Sequence, residues 1–277
     1  MSNRVFVLLA AFALCAPAQV PQNPSPMVEH TRTHPRLREA TPEGRRETLE
    51  LGTLFIPGKA SGRRAMPLIV ALHCGTWLPE VAAAQYGRAA VMAIQAGSGS
   101  AVYARTFADA ARFGKLLREA EAKAGVRFES VSLVSWSAGY GAVREILSQP
   151  QYYGMVGRLL LIDGLHTGYT PERRLETDGL DVFLRFARDA VAGRKQMIVT
   201  HSEIFPGTFA STTETADYLL ESLNLRRKPV LKWGPMGTQQ LSETRAGRFL
   251  LVGYAGNAAP DHVDQLHSLG DYLRWFR

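Results

Sequence analysis

Apolar residues along this chain collect into short, nearly continuous runs separated by segments of helical length. The runs are Leu68-Ile69-Val70-Ala71-Leu72, Ala90-Val91-Met92-Ala93-Ile94, Val131-Ser132-Leu133-Val134, Leu159-Leu160-Leu161-Ile162, Met197-Ile198-Val199 and Phe249-Leu250-Leu251-Val252. Each is too short for a helix and too uniformly apolar for a strand with one wet face, so each reads as a strand buried on both sides. Between most of them, 107–124, 138–149, 178–192 and 212–223 repeat Leu or Phe at intervals of three and four, the spacing of one helical face. Thr48 to Ile56 partly alternates and stops at Pro57-Gly58, which predicts an early antiparallel pair. From Val263, the positions Leu266, Leu269, Leu273 and Phe276 outline a C-terminal helix. Buried strands alternating with helices predict an α/β fold, a mainly parallel sheet flanked by helices on both faces, with chemistry at the C-terminal ends of the strands.

The N-terminus has a different pattern. Arg4 precedes an apolar run from Val5 to Leu14, and Ala16-Pro17-Ala18 follows, so residues 1–18 read as a signal peptide cleaved near Ala18. The run is far short of the roughly 20 residues that cross a bilayer as a helix, and no stable membrane span is expected. Leu14 is too large for a lipoprotein site, so no lipid anchor is expected at Cys15. Residues 19–46 carry Pro21, Pro24, Pro26, Pro35 and Pro42 without periodicity and read as a loosely ordered leader. Residues 47–277 form one domain without internal repeats. With 277 residues and 46% hydrophobic content, disorder and fibrous structure are excluded. Lys and Arg exceed Asp and Glu by 32 to 25, but no basic run exceeds Arg226-Arg227-Lys228, so no nucleic-acid partner is expected. Once the signal is removed, Cys74 is the remaining cysteine and no internal disulfide can form.

One strand end stands out chemically. Val131–Val134 leads into Ser135-Trp136-Ser137-Ala138-Gly139-Tyr140-Gly141 and then a helix-like stretch, Ala142-Val143-Arg144-Glu145-Ile146-Leu147. A serine in a tight strand-to-helix turn is forced into the open, and small residues two before and two after it let the backbones approach. Ser137 holds that position, with Ser135 where the usual Gly-x-Ser-x-Gly spelling has its first glycine. On this motif and the order of elements, the chain from about Thr48 onward resembles the α/β-hydrolase superfamily, and within it the bacterial esterase, lipase and polyester-depolymerase types.

A serine hydroxyl needs an imidazole to take its proton and a carboxylate to hold that imidazole. The resemblance implies the order Ser, acid, His, with the histidine after the last strand. His262 follows Phe249–Val252 through a loop of small residues, and His267 within the C-terminal helix is the alternative base. Two carboxylates compete for the acid. Asp163 follows Leu159–Ile162 directly and is favoured by residue type, while Glu203 comes one strand later and is favoured by position. The balance leans to Asp163. The oxyanion donors are expected from the N–H of Ala138 and from the loop His73-Cys74-Gly75-Thr76-Trp77, with Gly75 first and Thr76 next. His73, Trp77, Trp136, Tyr140 and His166 are expected to line the substrate site, with Tyr169 nearby. Cys74 lies close enough to the cleft to be sensitive to thiol reagents.

His73, His166, His201 and His262 have no metal-ligand spacing, so no metal is expected. Gly97-Ser98-Gly99-Ser100 lacks the Lys-Ser/Thr ending of a phosphate loop, no cofactor is expected, and the segment reads as a flexible loop. Residues 164–180 and 203–212 are the candidate lids. The sequence therefore points to an exported serine hydrolase acting on a small-molecule or polymeric ester. A peptidase of the same fold and a non-catalytic hydrolase-like binding protein remain open, as does the oligomeric state.

Overall fold

In the computed structural model, which describes residues 36–60, 64–87 and 89–276, the first strand begins at Gly44. The expected signal segment and the leader as far as residue 35, Cys15 and Ala18 included, lie outside the described residues. In chain order the strands are β1 (Gly44–Thr48), β2 (Thr53–Pro57), β3 (Ala65–Leu72), β4 (Ala90–Ile94), β5 (Arg127–Trp136), β6 (Val156–Ile162), β7 (Gln196–His201), β8 (Lys228–Trp233), β9 (Gln239–Ala246) and β10 (Phe249–Tyr254). The helices are α1 (Trp77–Tyr86), α2 (Ser100–Phe107), α3 (Arg112–Ala124), α4 (Tyr140–Ser148), α5 (Pro150–Met155), α6 (Asp181–Val191), α7 (Thr212–Ser222), α8 (Ala259–His267) and α9 (Leu269–Leu273).

The strands form one sheet in the order β1-β2-β4-β3-β5-β6-β7-β10-β9-β8. The centre, β4-β3-β5-β6-β7-β10, is parallel throughout, and an antiparallel pair closes each edge. Alternation along the central strands sends side chains into two separate cores. In β3, Leu68, Val70 and Leu72 join a cluster with Phe107, Leu116, Val143, Phe183 and Leu219 from α2, α3, α4, α6 and α7. Ile69 and Ala71 point the other way, with Leu78 of α1 and Leu269, Tyr272 and Leu273 of α9. Burial on both faces is why these runs carry no polar alternation, and each fully buried Leu or Ile stabilises the fold by about 2 kcal/mol. The result is the expected mainly parallel sheet flanked by helices on both faces.

Local differences from the sequence reading have identifiable causes. The single helix expected over 107–124 is two helices, because the Asp109 carboxylate accepts the Ala111 N–H at 2.9 Å and turns the chain between α2 and α3. Gly97 and Gly99 adopt positive φ, and Ser100 already opens α2, so this segment is a short entry to a helix. The hairpin β8–β9 was not evident from apolar runs. β8 is almost wholly exposed, and β9 buries Gln239, Gln240, Ser242 and Thr244 instead of aliphatic residues.

Candidate active site

Three loops leave the C-terminal ends of neighbouring strands β3, β5 and β6, and each starts with a non-glycine residue at positive φ: His73 at 64°, Ser137 at 48° and Asp163 at 41°. L-residues avoid this region, and such strain, of order 1–3 kcal/mol, persists only where the surroundings enforce it. Around Ser137 the enforcement is visible. β5 ends at Trp136, and a single 3₁₀ turn, Ser137–Gly139, passes into α4. A Cβ on Gly139 would stand 2.4 Å from the Leu72 carbonyl oxygen, and one on Gly164 would stand 2.4 Å from the Ser137 nitrogen. Only glycine fits either place. Ser135 is accommodated where the resemblance has glycine: it is fully buried, and its hydroxyl has no hydrogen-bond partner among the described residues.

Asp163 and His262 are brought together. The His262 Nδ1–H donates to Asp163 Oδ2 at 2.7 Å, joining the end of β6 to the first turn of α8 across 99 residues. The Asp163 carboxylate is buried and also accepts from the Ser202 N–H at 2.8 Å, the Ser202 hydroxyl at 2.8 Å and the Thr212 hydroxyl at 2.8 Å. Burial pushes its pKa up, but the His262 hydrogen bond and charge, the Ser202 N–H and the Thr212 hydroxyl outweigh this and hold the carboxyl below its usual range. The imidazole is fixed from another side by Trp136, whose ring stacks on it at 4.5 Å and whose Nε1–H donates to the His262 carbonyl at 3.1 Å. Trp136 immediately precedes Ser137, so the serine's turn and the imidazole share one support. No hydrogen bond joins the Ser137 hydroxyl to His262 among the described residues.

The competing residues lie elsewhere. Glu203 turns to Gly256, accepting its N–H at 3.3 Å while its own N–H donates to the Gly256 carbonyl at 2.8 Å. His267 sits at the end of α8, edge-on to Trp77 at 5.7 Å, with Nδ1 buried and without a hydrogen-bond partner among the described residues. Trp77 thus begins α1 and packs on His267, whereas a place in the substrate wall was expected. Cys74 is also corrected: it is buried, its Sγ lies 3.4 Å from the Leu72 carbonyl, and burial pushes the thiol to about 12, which removes the thiolate a reagent would attack.

A cavity of about 960 Å³ opens at Ser137. Ala138, Tyr140, His73 and His166 line it, as do Arg144 and Phe209, whereas Trp136 and Gly75 do not. Trp136 supports the imidazole from the opposite face of the sheet, among residues of the α1 and α9 core. The two candidate lids are bonded to each other: the Ala210 N–H donates to the Thr167 carbonyl at 2.9 Å, and His166 Nδ1–H donates to the Ala210 carbonyl at 2.9 Å. Tyr169, in a tight hairpin bridged to Leu175, donates its hydroxyl to Glu214 on α7 at 2.8 Å. These segments form a tied wall. His166 is mostly buried, and that burial lowers its pKa despite the Ala210 carbonyl and Asp163.

His201 is separated from the cavity. Its Nε2 accepts from Arg227, its Nδ1–H faces the Ser202 carbonyl at 3.1 Å, and burial followed by the Arg227 charge pushes its pKa down to about 4. Among the described residues, no group of three or more His, Cys, Asp or Glu is arranged to hold a metal ion, and no helix is long and apolar enough to cross a membrane. Ser202 and Thr212, which hold the Asp163 carboxylate, escaped the sequence reading. The available signal was Ser211-Thr212-Thr213-Glu214, a capping box that starts α7 beside the strand ends: Ser211 Oγ accepts the Glu214 N–H, and Glu214 accepts the Ser211 N–H.

No family model and no curated protein matches the sequence. Among solved structures, the chain is similar to an esterase from Pyrobaculum calidifontis, at 14% identity over 89% of this chain and 85% of that one, with a TM-score of 0.47. It is similar to a siderophore hydrolase from Aspergillus nidulans, at 12% identity over 88% and 97%, TM-score 0.47. A poly(3-hydroxybutyrate) depolymerase from Bordetella parapertussis aligns at 16% identity over 84% and 90%, TM-score 0.46. At these levels the chemistry has to be read from the chain's own residues.

Proposed function

We propose that this protein is a serine hydrolase that cleaves carboxylic esters through an acyl-enzyme, with Ser137 as nucleophile, His262 as general base and Asp163 as the acid that orients it. The observation that carries the reading is the 2.7 Å bond from His262 Nδ1–H to the buried Asp163 carboxylate, beside a serine held at positive φ on a strand-to-helix turn. With Nδ1 protonated and engaged, the neutral ring has its lone pair at Nε2. Ser137 Oγ attacks the ester carbonyl, its proton passes to Nε2, and the carbonyl π electrons move to oxygen. Collapse of that intermediate expels the alcohol, which takes the proton back from Nε2. Water repeats the sequence on the acyl-enzyme and releases the acid.

The cavity supports a small, oxygen-rich substrate over a long acyl chain. Ser98, Ser100, Thr167, Thr170 and Arg144 bring hydrogen-bonding groups to its wall, and Leu175 and Phe209 are its larger aliphatic and aromatic surfaces beside Tyr140. Export belongs to the proposal on the strength of the 1–18 pattern alone.

A fluorophosphonate probe should label Ser137, and short-chain nitrophenyl esters should be hydrolysed by the wild type but not by Ser137→Ala. A folded wild-type protein that does neither would falsify the reading and leave a hydrolase-like binding protein. Release from aminoacyl amides faster than from the matching esters would assign a peptidase instead.

A further inference from the structure

The oxygen that becomes negative in the tetrahedral intermediate needs hydrogen-bond donors aimed at it from the start. Ala138, in the first turn after β5, lines the cavity and presents an N–H of the kind that has no partner within a helix. The second donor expected, Gly75, is not part of the cavity wall, and its N–H faces the Gln95 side-chain oxygen at 3.4 Å. His73, two residues earlier, does line the cavity.

The neighbours of His73 decide where its proton lies. The ring Nδ1 is 2.9 Å from the hydroxyl of Tyr103, a fully buried residue of α2. That hydroxyl oxygen already accepts the Ala96 N–H at 3.2 Å, and the Gly97 N–H is turned to it as well, which occupies its lone pairs and leaves its own hydrogen for His73. Burial pushes the phenol up to about 12, so the hydrogen stays in place. Gln95 acts in the same sense: its oxygen takes the Gly75 N–H, which turns its NH₂ towards the same Nδ1 at 3.4 Å. Two donors converging on Nδ1 require a lone pair there, and a neutral imidazole with its lone pair at Nδ1 carries its hydrogen at Nε2. Burial, followed by the nearby His262, lowers the His73 pKa and keeps the ring neutral. Its Nε2 has no partner among the described residues, and the ring lies flat against Trp136, 5.3 Å between centroids and 15° between planes.

We propose that His73 is a further catalytic residue, donating its Nε2–H to the carbonyl oxygen of the ester as that oxygen becomes negative, alongside the Ala138 N–H. Tyr103 is its positioning residue. In the attack step the new bond is Ser137 Oγ to carbonyl carbon, the proton goes to His262 Nε2, and the π pair goes to the oxygen. His73 shares its hydrogen with that oxygen and keeps it. A side-chain donor thus supplies what a glycine N–H was expected to give, and the positive φ of His73 is the backbone strain that aims it. This inference rests on the hydrolase reading above.

The test uses the full chain with ¹⁵N-labelled histidine. Long-range ¹H–¹⁵N correlation spectra should place the His73 hydrogen on Nε2 with Nδ1 as acceptor, and Tyr103→Phe should shift the ring towards a mixture of tautomers. His73→Asn suits the positive φ but cannot reach the oxygen. It should lower kcat on nitrophenyl acetate by about 10²–10³-fold with KM nearly unchanged, and weaken a trifluoromethyl ketone inhibitor by a similar factor. A wild-type His73 carrying its hydrogen on Nδ1, or a folded His73→Asn with kcat within about threefold of wild type, overturns the proposal. If His73→Asn does not fold, the wild-type tautomer and the kcat of Tyr103→Phe decide. A wild type inert to both ester and probe removes the hydrolase reading first, and this inference with it.

Discussion

His73, Ser137 and Asp163 occupy the same position on neighbouring strands, the first residue past the end, and all three take a backbone conformation that L-residues avoid. Asp163 then carries four hydrogen bonds that converge on one buried carboxylate. Asp163→Asn should leave the fold intact but present the wrong hydrogen to His262, lowering kcat by about 10⁴-fold, whereas Glu203→Gln should change it little. Equal losses from the two variants would remove Asp163 from the mechanism. Ser135 is a different kind of anomaly. Its hydroxyl is buried without a partner among the described residues, so Ser135→Ala should stabilise the protein by about 1 kcal/mol, a rise of roughly 2–4 °C in Tm, with activity retained. A lower Tm would mean that the hydroxyl does have a partner. Cys74 should remain unmodified by thiol reagents in the native protein and react on unfolding, since burial holds the thiol near 12; modification at native rates typical of an exposed thiol would contradict its placement.

At the scale of elements, the central strands and the serine turn were legible because both-sided burial leaves continuous apolar runs and because glycine is required where Gly139 meets the Leu72 carbonyl. Which carboxylate meets His262 was only half legible. Asp163 and Glu203 both follow strands, and what separates them is the support around Asp163, which comes from residues 39 and 49 positions away. Tyr103 and Gln95 were not legible at all, because neither resembles a catalytic group and both act through contacts 20 or more residues distant. The start of α7 gathers several of these roles. Ser211 and Glu214 cap it, Thr212 holds Asp163, and Glu214 also anchors Tyr169, whose neighbours Gly168 and Thr170 line the cavity. Glu214→Ala should therefore cost about 1 kcal/mol from the lost cap, and release the hairpin at Tyr169. The expected signature is a raised KM for ester substrates with little change in the rate at which a small fluorophosphonate labels Ser137. An unchanged KM would show that the hairpin holds its place without the Tyr169 anchor.

Across the whole molecule, the chain buries neutral imidazoles while carrying a net charge of +7, and this sets how it responds to acid. His73, His166, His201 and His267 all have pKa values lowered first by burial, with His201 down to about 4. When the folded pKa lies below the unfolded value of about 6.5, the unfolded chain binds more protons in the window between them. The stabilisation is then complete above about pH 6.5 and is lost as pH falls towards the folded values. For His201, buried against Arg227, the window runs down to about 4 and corresponds to roughly 3 kcal/mol. Lowered carboxylates such as Asp163 and Glu243 extend the loss further, because their stabilisation is present above their unfolded values near 4 and fades as pH falls through the folded ones. Each imidazole that does protonate adds positive charge to a chain already repelling itself. Urea midpoints should thus be flat above about pH 6.5 and fall steadily below it, and His201→Gln, which can still accept from Arg227 and donate to the Ser202 carbonyl, should flatten the stretch between about pH 6.5 and 4. Wild-type midpoints that stay level down to about pH 4.5 would mean that His201 is charged, or open to water, in the folded protein.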